Sequence, residues 1–167
     1  EQNAVFGRVN RLIAARVDAI ATSFPVTKLL PEKDNQPKFV TGNPVRDEVR
    51  AIAGMPYENP GISRQFKLLI FGGSQGSSRF SNVIPLALMA LPERHRRRLF
   101  VVQQCRQIDL EYVRNLYEQN NILAETATFF EDLPDRLAAT HLVIARGGAG
   151  TVSELAVAGR PSVLVPY

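Results

Sequence analysis

Residues 141–165 read HLVIARGGAGTVSELAVAGRPSVLV, and this stretch decides the fold. After His141 comes an unbroken apolar run, Leu142 to Ala145, too short for a helix and of strand length. Three glycines at positions 147, 148 and 150 then interrupt it. TVSELAVAG carries a helical pattern, and residues 162–165 resume as a second apolar strand. Strands without polar alternation, joined through a helix by short connections, predict a parallel sheet covered on both faces.

The same grammar extends backwards. KLLIF (67–71) predicts a strand, GGSQGSS (72–78) a loop, and residues 79–90 a helix. A strand over 99–103 follows, then a helix over 108–119 with Leu110, Val113, Leu116 and Tyr117 on one face. Residues 125–130 predict a third strand, and residues 133–139 a short helix. The fold class expected is α/β, a Rossmann-like parallel sheet with helices on both faces. Right-handed crossovers bring the strand ends to a common edge, and ligands bind beyond the carboxyl ends. The two glycine-rich loops are therefore expected to share one rim.

Upstream the pattern is less regular. Val5, Val9, Leu12 and Ile13 have helical spacing within residues 1–16. Short strands are expected over 17–21 and 38–41, a loop over 27–37, and a short helix over 45–53. Residues 54–65, with Pro56, Asn59, Pro60 and Gly61, read as a linker.

Composition narrows the function classes. With 167 residues, 45% hydrophobic and 22% charged, the chain has room for one domain and part of another. No apolar run approaches the ~20 residues of a membrane span, and no stretch reads as a signal peptide. A cytoplasmic setting is expected, and the lone Cys105 has no internal disulfide partner. The first residue is Glu1 rather than Met, and Tyr167 ends the chain directly after a strand, so both ends read as cut. The net charge of +4 is concentrated in Arg94, His95, Arg96, Arg97 and Arg98, which read as a solvated connection. No basic stretch is interleaved with aromatics, so nucleic acid is not an expected partner.

Chemistry concentrates in the two loops. In GGSQGSS, glycines allow close backbone approach, and a following helix start favours negative charge. Ser74, Ser77 and Ser78 add hydroxyls. The loop suits a diphosphate, although an ordinary tight turn has the same composition. It lacks the lysine of GxxxxGK[ST] and does not match GxGxxG. In the second loop, Thr151 and Glu154 have the spacing of a capping box, and Glu154 is equally placed to accept hydrogen bonds from a ribose diol. Arg146 has three candidate partners: a phosphate, Glu131 or Asp132. His95 and His141 read as solvated or structural.

GGSQG after an apolar strand, TGNPVR (41–46), EQNAVFGRVNRLIA (1–14) and the closing ARGGAGTVSELAVAGRPSVLVPY (145–167) occur here in this family's order. Together they resemble the MurG family of N-acetylglucosaminyltransferases over the full length of this chain, which covers about half of a family enzyme. The resemblance implies a two-domain GT-B fold. Residues 1–41 would end the first, acceptor-side domain, residues 42–65 would link, and residues 66–167 would begin the UDP-sugar-binding domain. It further implies inverting transfer of N-acetylglucosamine from UDP-N-acetylglucosamine to undecaprenyl-diphosphate-linked N-acetylmuramoyl-pentapeptide. The setting implied is peptidoglycan synthesis at the cytoplasmic face of the bacterial inner membrane, with a peripheral enzyme contacting the membrane surface through the rest of its first domain. No cofactor and no metal are implied.

Carried over position by position, Asn3 would reach the donor from the first domain, and Arg46 would lie near it at the junction. Ser74 would contact the diphosphate, and the Phe130 backbone would meet the uracil. Ala149, Gly150, Thr151, Val152, Ser153 and Glu154 would wall the diphosphate and ribose, with Glu154 on the ribose hydroxyls. No residue is assigned as catalytic, because the family's first-domain histidine falls before Glu1 and its glutamine motif after Tyr167. Gly150 stands where a larger apolar residue is usual, which implies a looser loop, and Ser77 replaces a usual alanine. Two other readings stay open: a different UDP-sugar transferase or epimerase of this architecture, and a non-catalytic nucleotide-binding module.

Overall fold

The computed structural model describes residues 1–32, 35–62, 64–73 and 77–166. The chain forms two compact units, Glu1–Val45 and Arg46–Tyr167.

In the first unit, α1 (Arg8–Ile13) runs into a 3₁₀ turn, Ala14–Arg16. Strands β1 (Ile20–Thr22) and β2 (Lys38–Val40) pair in parallel. Phe6, Ala14 and Ile20 form the small core, with Leu30 packed against it. The helix expected across residues 1–16 is confined to its second half, and Val9 and Leu12 are 69% and 78% exposed. The reason is local. The Glu1 carboxylate accepts from the backbone N–H groups of Asn3 (2.9 Å) and Gly7 (2.6 Å) and from the Asn10 amide (3.0 Å), which curls residues 1–7 away from a helix. Burial works against the charge of Glu1, yet these bonds hold its pKa down at about 2.

The second unit opens with α2 (Asp47–Ala51) and continues as β3 (Phe66–Phe71), α3 (Ser78–Met89), α4 (Glu93–Arg96), β4 (Leu99–Gln104) and α5 (Leu110–Gln119). It is completed by β5 (Leu123–Ala127), α6 (Leu133–Ala139), β6 (Leu142–Arg146), α7 (Ala149–Ala158) and β7 (Ser162–Val165). All five strands of this sheet are parallel, in the order β5-β4-β3-β6-β7. Growth therefore proceeds outward from β3 to β5, then restarts on the other side of β3. With right-handed crossovers this reversal sends α3 and α5 to one face and α6 and α7 to the other.

Strand alternation fills both layers. Leu68, Ile70, Leu99 and Val101 meet Phe80, Ile84, Leu88, Val113 and Tyr117 in one core. Leu69, Phe71, Val102, Val143 and Ala145, at the intervening positions, are also buried. Such two-sided burial is why these strands lack polar alternation.

Two boundaries differ from expectation in ways that shape the site. The third strand, expected over 125–130, is Leu123–Ala127. Its ladder closes where the Cys105 N–H donates to Ala127 O (2.8 Å), and Thr128 O is taken by the Gln104 side-chain amide (3.0 Å). Phe129 and Phe130 thus leave the sheet. The last helix begins at Ala149, two residues before Thr151, because extended Gly148 (φ −71°, ψ 147°) is its N-cap. No side chain caps it, so the Thr151–Glu154 capping box does not form.

Candidate functional site at the carboxyl edge of the sheet

The reversal of strand order falls between neighbouring β3 and β6, and the chain leaves their carboxyl ends toward opposite faces. A crevice at that point follows from topology alone. A cavity of about 290 Å³ lies there. Phe71 and Gly73 enter it from the end of β3, and Gln104 from the end of β4. Phe129, Phe130 and Leu133 come from the segment after β5; Gly150, Thr151 and Glu154 from the start of α7; Arg46 from just before α2. Both glycine-rich loops leave strands at this edge, as expected.

Among the described residues no side chain caps the start of α7. Its first helical bond runs from the Val152 N–H to Gly148 O (2.9 Å), so the N–H groups of Ala149, Gly150 and Thr151 precede the ladder. None of Gly147, Gly148 and Gly150 has a positive φ. A Cβ at Gly150 would meet nothing within 4 Å, and one at Gly147 only an ordinary contact with Val165 O. Gly150 therefore sits in the first helical turn, with room for the larger residue usual in the family, rather than in a looser loop. No backbone strain demands these three glycines, and no crowding demands Gly147 or Gly150. What they leave is open main chain and a helix dipole facing the cavity. Gly73 differs: at φ +89° its conformation does favour glycine.

Glu154, one turn into α7, meets Arg46 across the cavity mouth. Arg46 Nε donates to Oε1 at 2.6 Å and Nη2 to Oε2 at 2.9 Å, a two-pronged pair. The bond from Glu154 pushes the Arg46 guanidinium pKa further up. The Glu154 side chain is 17% exposed and that of Arg46 49%, so the pair is open enough to exchange a partner with a ligand.

Of the residues singled out from sequence, Arg46, Phe130, Gly150, Thr151 and Glu154 converge on this cavity. Ala149, Val152 and Ser153 lie on the same first turns of α7; Val152 is exposed, and Ser153 Oγ donates to Ala149 O at 2.9 Å. Asn3 belongs to the first unit, where its side-chain amide donates to Glu1 Oε1 at 3.1 Å. Ser74 lies outside the described residues. Arg146 donates to Pro166 O and places its guanidinium 5.6 Å from the Phe80 ring centre, while Asp132 is bonded to Arg136. His141 accepts the Lys67 N–H at Nδ1 (2.8 Å), at the opposite edge of the sheet.

Sequence reading missed Gln104 and Arg136. Gln104 ends an apolar strand and is 6% exposed, and a buried glutamine at the carboxyl end of a parallel strand was the available signal. Arg136 stands four residues after Asp132, an ion-pair spacing on a helix.

Comparison with known proteins matches this geometry to a family. Residues 67–167 match the model described as glycosyltransferase family 28 C-terminal domain. Over 167 residues the chain is 50% identical to the UDP-N-acetylglucosamine–N-acetylmuramyl-(pentapeptide) pyrophosphoryl-undecaprenol N-acetylglucosamine transferase of Zymomonas mobilis, covering all of this chain and 43% of that protein. It is 51% identical over 166 residues to the transferase of the same name from Novosphingobium aromaticivorans, covering 99% of this chain and 43% of that one. The solved structure of Acinetobacter baumannii MurG is 30% identical, with a TM-score of 0.71 over all of this chain and 44% of that chain. The chain thus spans under half the length of the relatives it matches. The Rossmann-like α/β sheet is that of the GT-B C-terminal half in MurG, and the chain belongs to glycosyltransferase family 28 through its C-terminal domain.

Proposed function

We propose that this chain carries the UDP-sugar side of an enzyme that transfers N-acetylglucosamine from UDP-N-acetylglucosamine to undecaprenyl-diphosphate-linked N-acetylmuramoyl-pentapeptide, with inversion. One observation carries the reading: the uncapped first turn of α7, the Arg46–Glu154 pair and Phe130 all face one cavity at the strand-order reversal. In this reading residues 1–41 end the acceptor-side domain, 42–65 link, and 66–167 begin the donor domain.

The chemistry required is stabilisation of a departing uridine diphosphate. Helix-start N–H groups already aimed at the growing negative charge need no reorganisation during reaction. Those of Ala149, Gly150 and Thr151 take the diphosphate, a role that likeness to the family extends to Ser74. Arg46 gives Nε and Nη2 to Glu154, and its Nη1 remains for a phosphate oxygen. Glu154, held at both oxygens by that guanidinium, accepts the ribose hydroxyls through its remaining lone pairs. The Phe130 main chain meets the edge of the uracil, and likeness to the family extends a donor contact to Asn3. A peripheral position on the cytoplasmic face of the inner membrane rests on likeness to the relatives. Among the described residues no helix is long and apolar enough to cross a membrane.

The test is a chimera in which this chain replaces the matching segment of the Zymomonas mobilis transferase. Transfer to a lipid-linked muramoyl acceptor is expected to survive, with UDP-N-acetylglucosamine preferred over other UDP-sugars. A folded chimera that transfers another sugar, or none, contradicts the proposal.

A further inference from the structure

The segment after β5 carries Phe130, and two side chains determine how it is held, Gln104 from the cavity wall and Arg136 from behind it. From the sheet, Gln104 Nε2 donates to Thr128 O at 3.0 Å. From α6, the Arg136 guanidinium lies 4.3 Å from the centre of the Phe130 ring. All three of its nitrogens are occupied: Nη1 and Nη2 grip the Glu125 carboxylate at 2.8 and 2.7 Å, and Nε donates to Asp132 at 2.7 Å. A two-pronged carboxylate pair sets the plane of a guanidinium, and a planar cation over an aromatic face holds that ring in turn. The network ties β5, the segment at 128–132 and α6 together, yet Arg136 does not line the cavity.

Stability alone is a poor reason for such a network. The Glu125 and Asp132 side chains are 45% and 51% exposed, and ion pairs that open contribute only about 0–1 kcal/mol. Placement is the better reason, because main-chain base recognition requires the backbone near Phe130 to stand in one position before the ligand arrives.

We propose that Arg136, held by Glu125 and Asp132, is a positioning residue that clamps Phe130 and so sets the backbone that reads the base of the nucleotide. This rests on the uridine-nucleotide reading above. Its effect is on base selectivity, since the diphosphate and ribose contacts lie on α7 and Arg46.

Calorimetric titration of the chain and of its Arg136→Met and Arg136→Lys variants with UDP and with CDP tests this. The unaltered chain is expected to prefer UDP. Arg136→Met is expected to weaken UDP by about tenfold and CDP by less than about twofold, so the preference collapses. Lysine keeps the charge but not the fork or the stacking plane, and Arg136→Lys is expected to behave like the methionine variant. An unchanged UDP-to-CDP ratio in Arg136→Met, whether or not its thermal midpoint falls, overturns the clamp alone. So does full rescue by lysine. Failure of the unaltered chain to bind UDP overturns the uridine reading and the clamp with it.

Discussion

The two edges of the five-stranded sheet carry cavities of opposite character. At the amino edge a cavity of about 560 Å³ is lined by Lys67, Thr140, His141 and Arg160 among others, larger than the roughly 290 Å³ at the carboxyl edge. Three of its polar side chains, Thr140, His141 and Arg160, are committed to main chain. Arg160, 5% exposed, donates to Leu137 O (3.0 Å), Ala138 O (2.9 Å) and Met55 O (3.3 Å), closing the carboxyl end of α6. Thr140 Oγ1 donates to Lys67 O at 3.0 Å, and His141 accepts the Lys67 N–H. At the carboxyl edge, Arg46 and Glu154 instead satisfy each other, in a pair that a ligand can enter without breaking the fold. Volume does not select a site; side chains with exchangeable partners do.

The contrast breaks most visibly at Arg160. Arg160→Met would remove three bonds to backbone carbonyls, leaving Leu137 O only the long Thr140 N–H bond (3.4 Å), and is expected to cost about 2–4 kcal/mol. The thermal midpoint should fall by roughly 5–12 °C, with UDP affinity intact below the melt. Glu154→Gln should do the reverse: UDP Kd rising about tenfold by calorimetry, and a midpoint shift under about 2 °C, because the pair it loosens is partly open. Equal loss of stability and affinity in either variant would erase the distinction between the edges.

A smaller effect follows from His141. Burial, then the nearby Lys67 charge, pushes its pKa below the ordinary histidine value of 6.5. A lowered folded-state value means the unfolded chain holds the proton more tightly. The stabilising Lys67 N–H bond is therefore fully present above pH 6.5 and lost as pH falls through the depressed value. The thermal midpoint should drop by roughly 2–4 °C in that window, and His141→Gln should flatten the part of the slope due to this group. A midpoint indifferent to acid, or a slope unchanged in the variant, would refute this role.

How much of this was legible in sequence depended on the range of the forces involved. Strands β3, β4 and β6 were readable because burial leaves continuous apolar runs, and β7 carries such a run although Val163 and Leu164 are exposed. Edge strand β5, Leu-Ala-Glu-Thr-Ala, has no such run, and Phe129 and Phe130 mimicked its continuation. Thr151 and Glu154 have capping spacing, but the glycines before them let α7 begin earlier. In the first unit, a carboxylate taking several amide donors kept Val5 out of the helix that Val9, Leu12 and Ile13 do form. The Arg46–Glu154 pair spans 108 positions, so no local pattern carries it; only the family motifs placed both residues near one ligand.

The most direct test is amide-resolved NMR of the isotope-labelled chain during titration with UDP. Resonances of Phe130, Gly150 and Thr151 are expected to move in a saturable, concerted way, while those of Lys67, Thr140 and His141 stay still. Movement centred on Lys67, Thr140 and His141, with the α7 start unperturbed, would contradict a nucleotide site at the carboxyl edge.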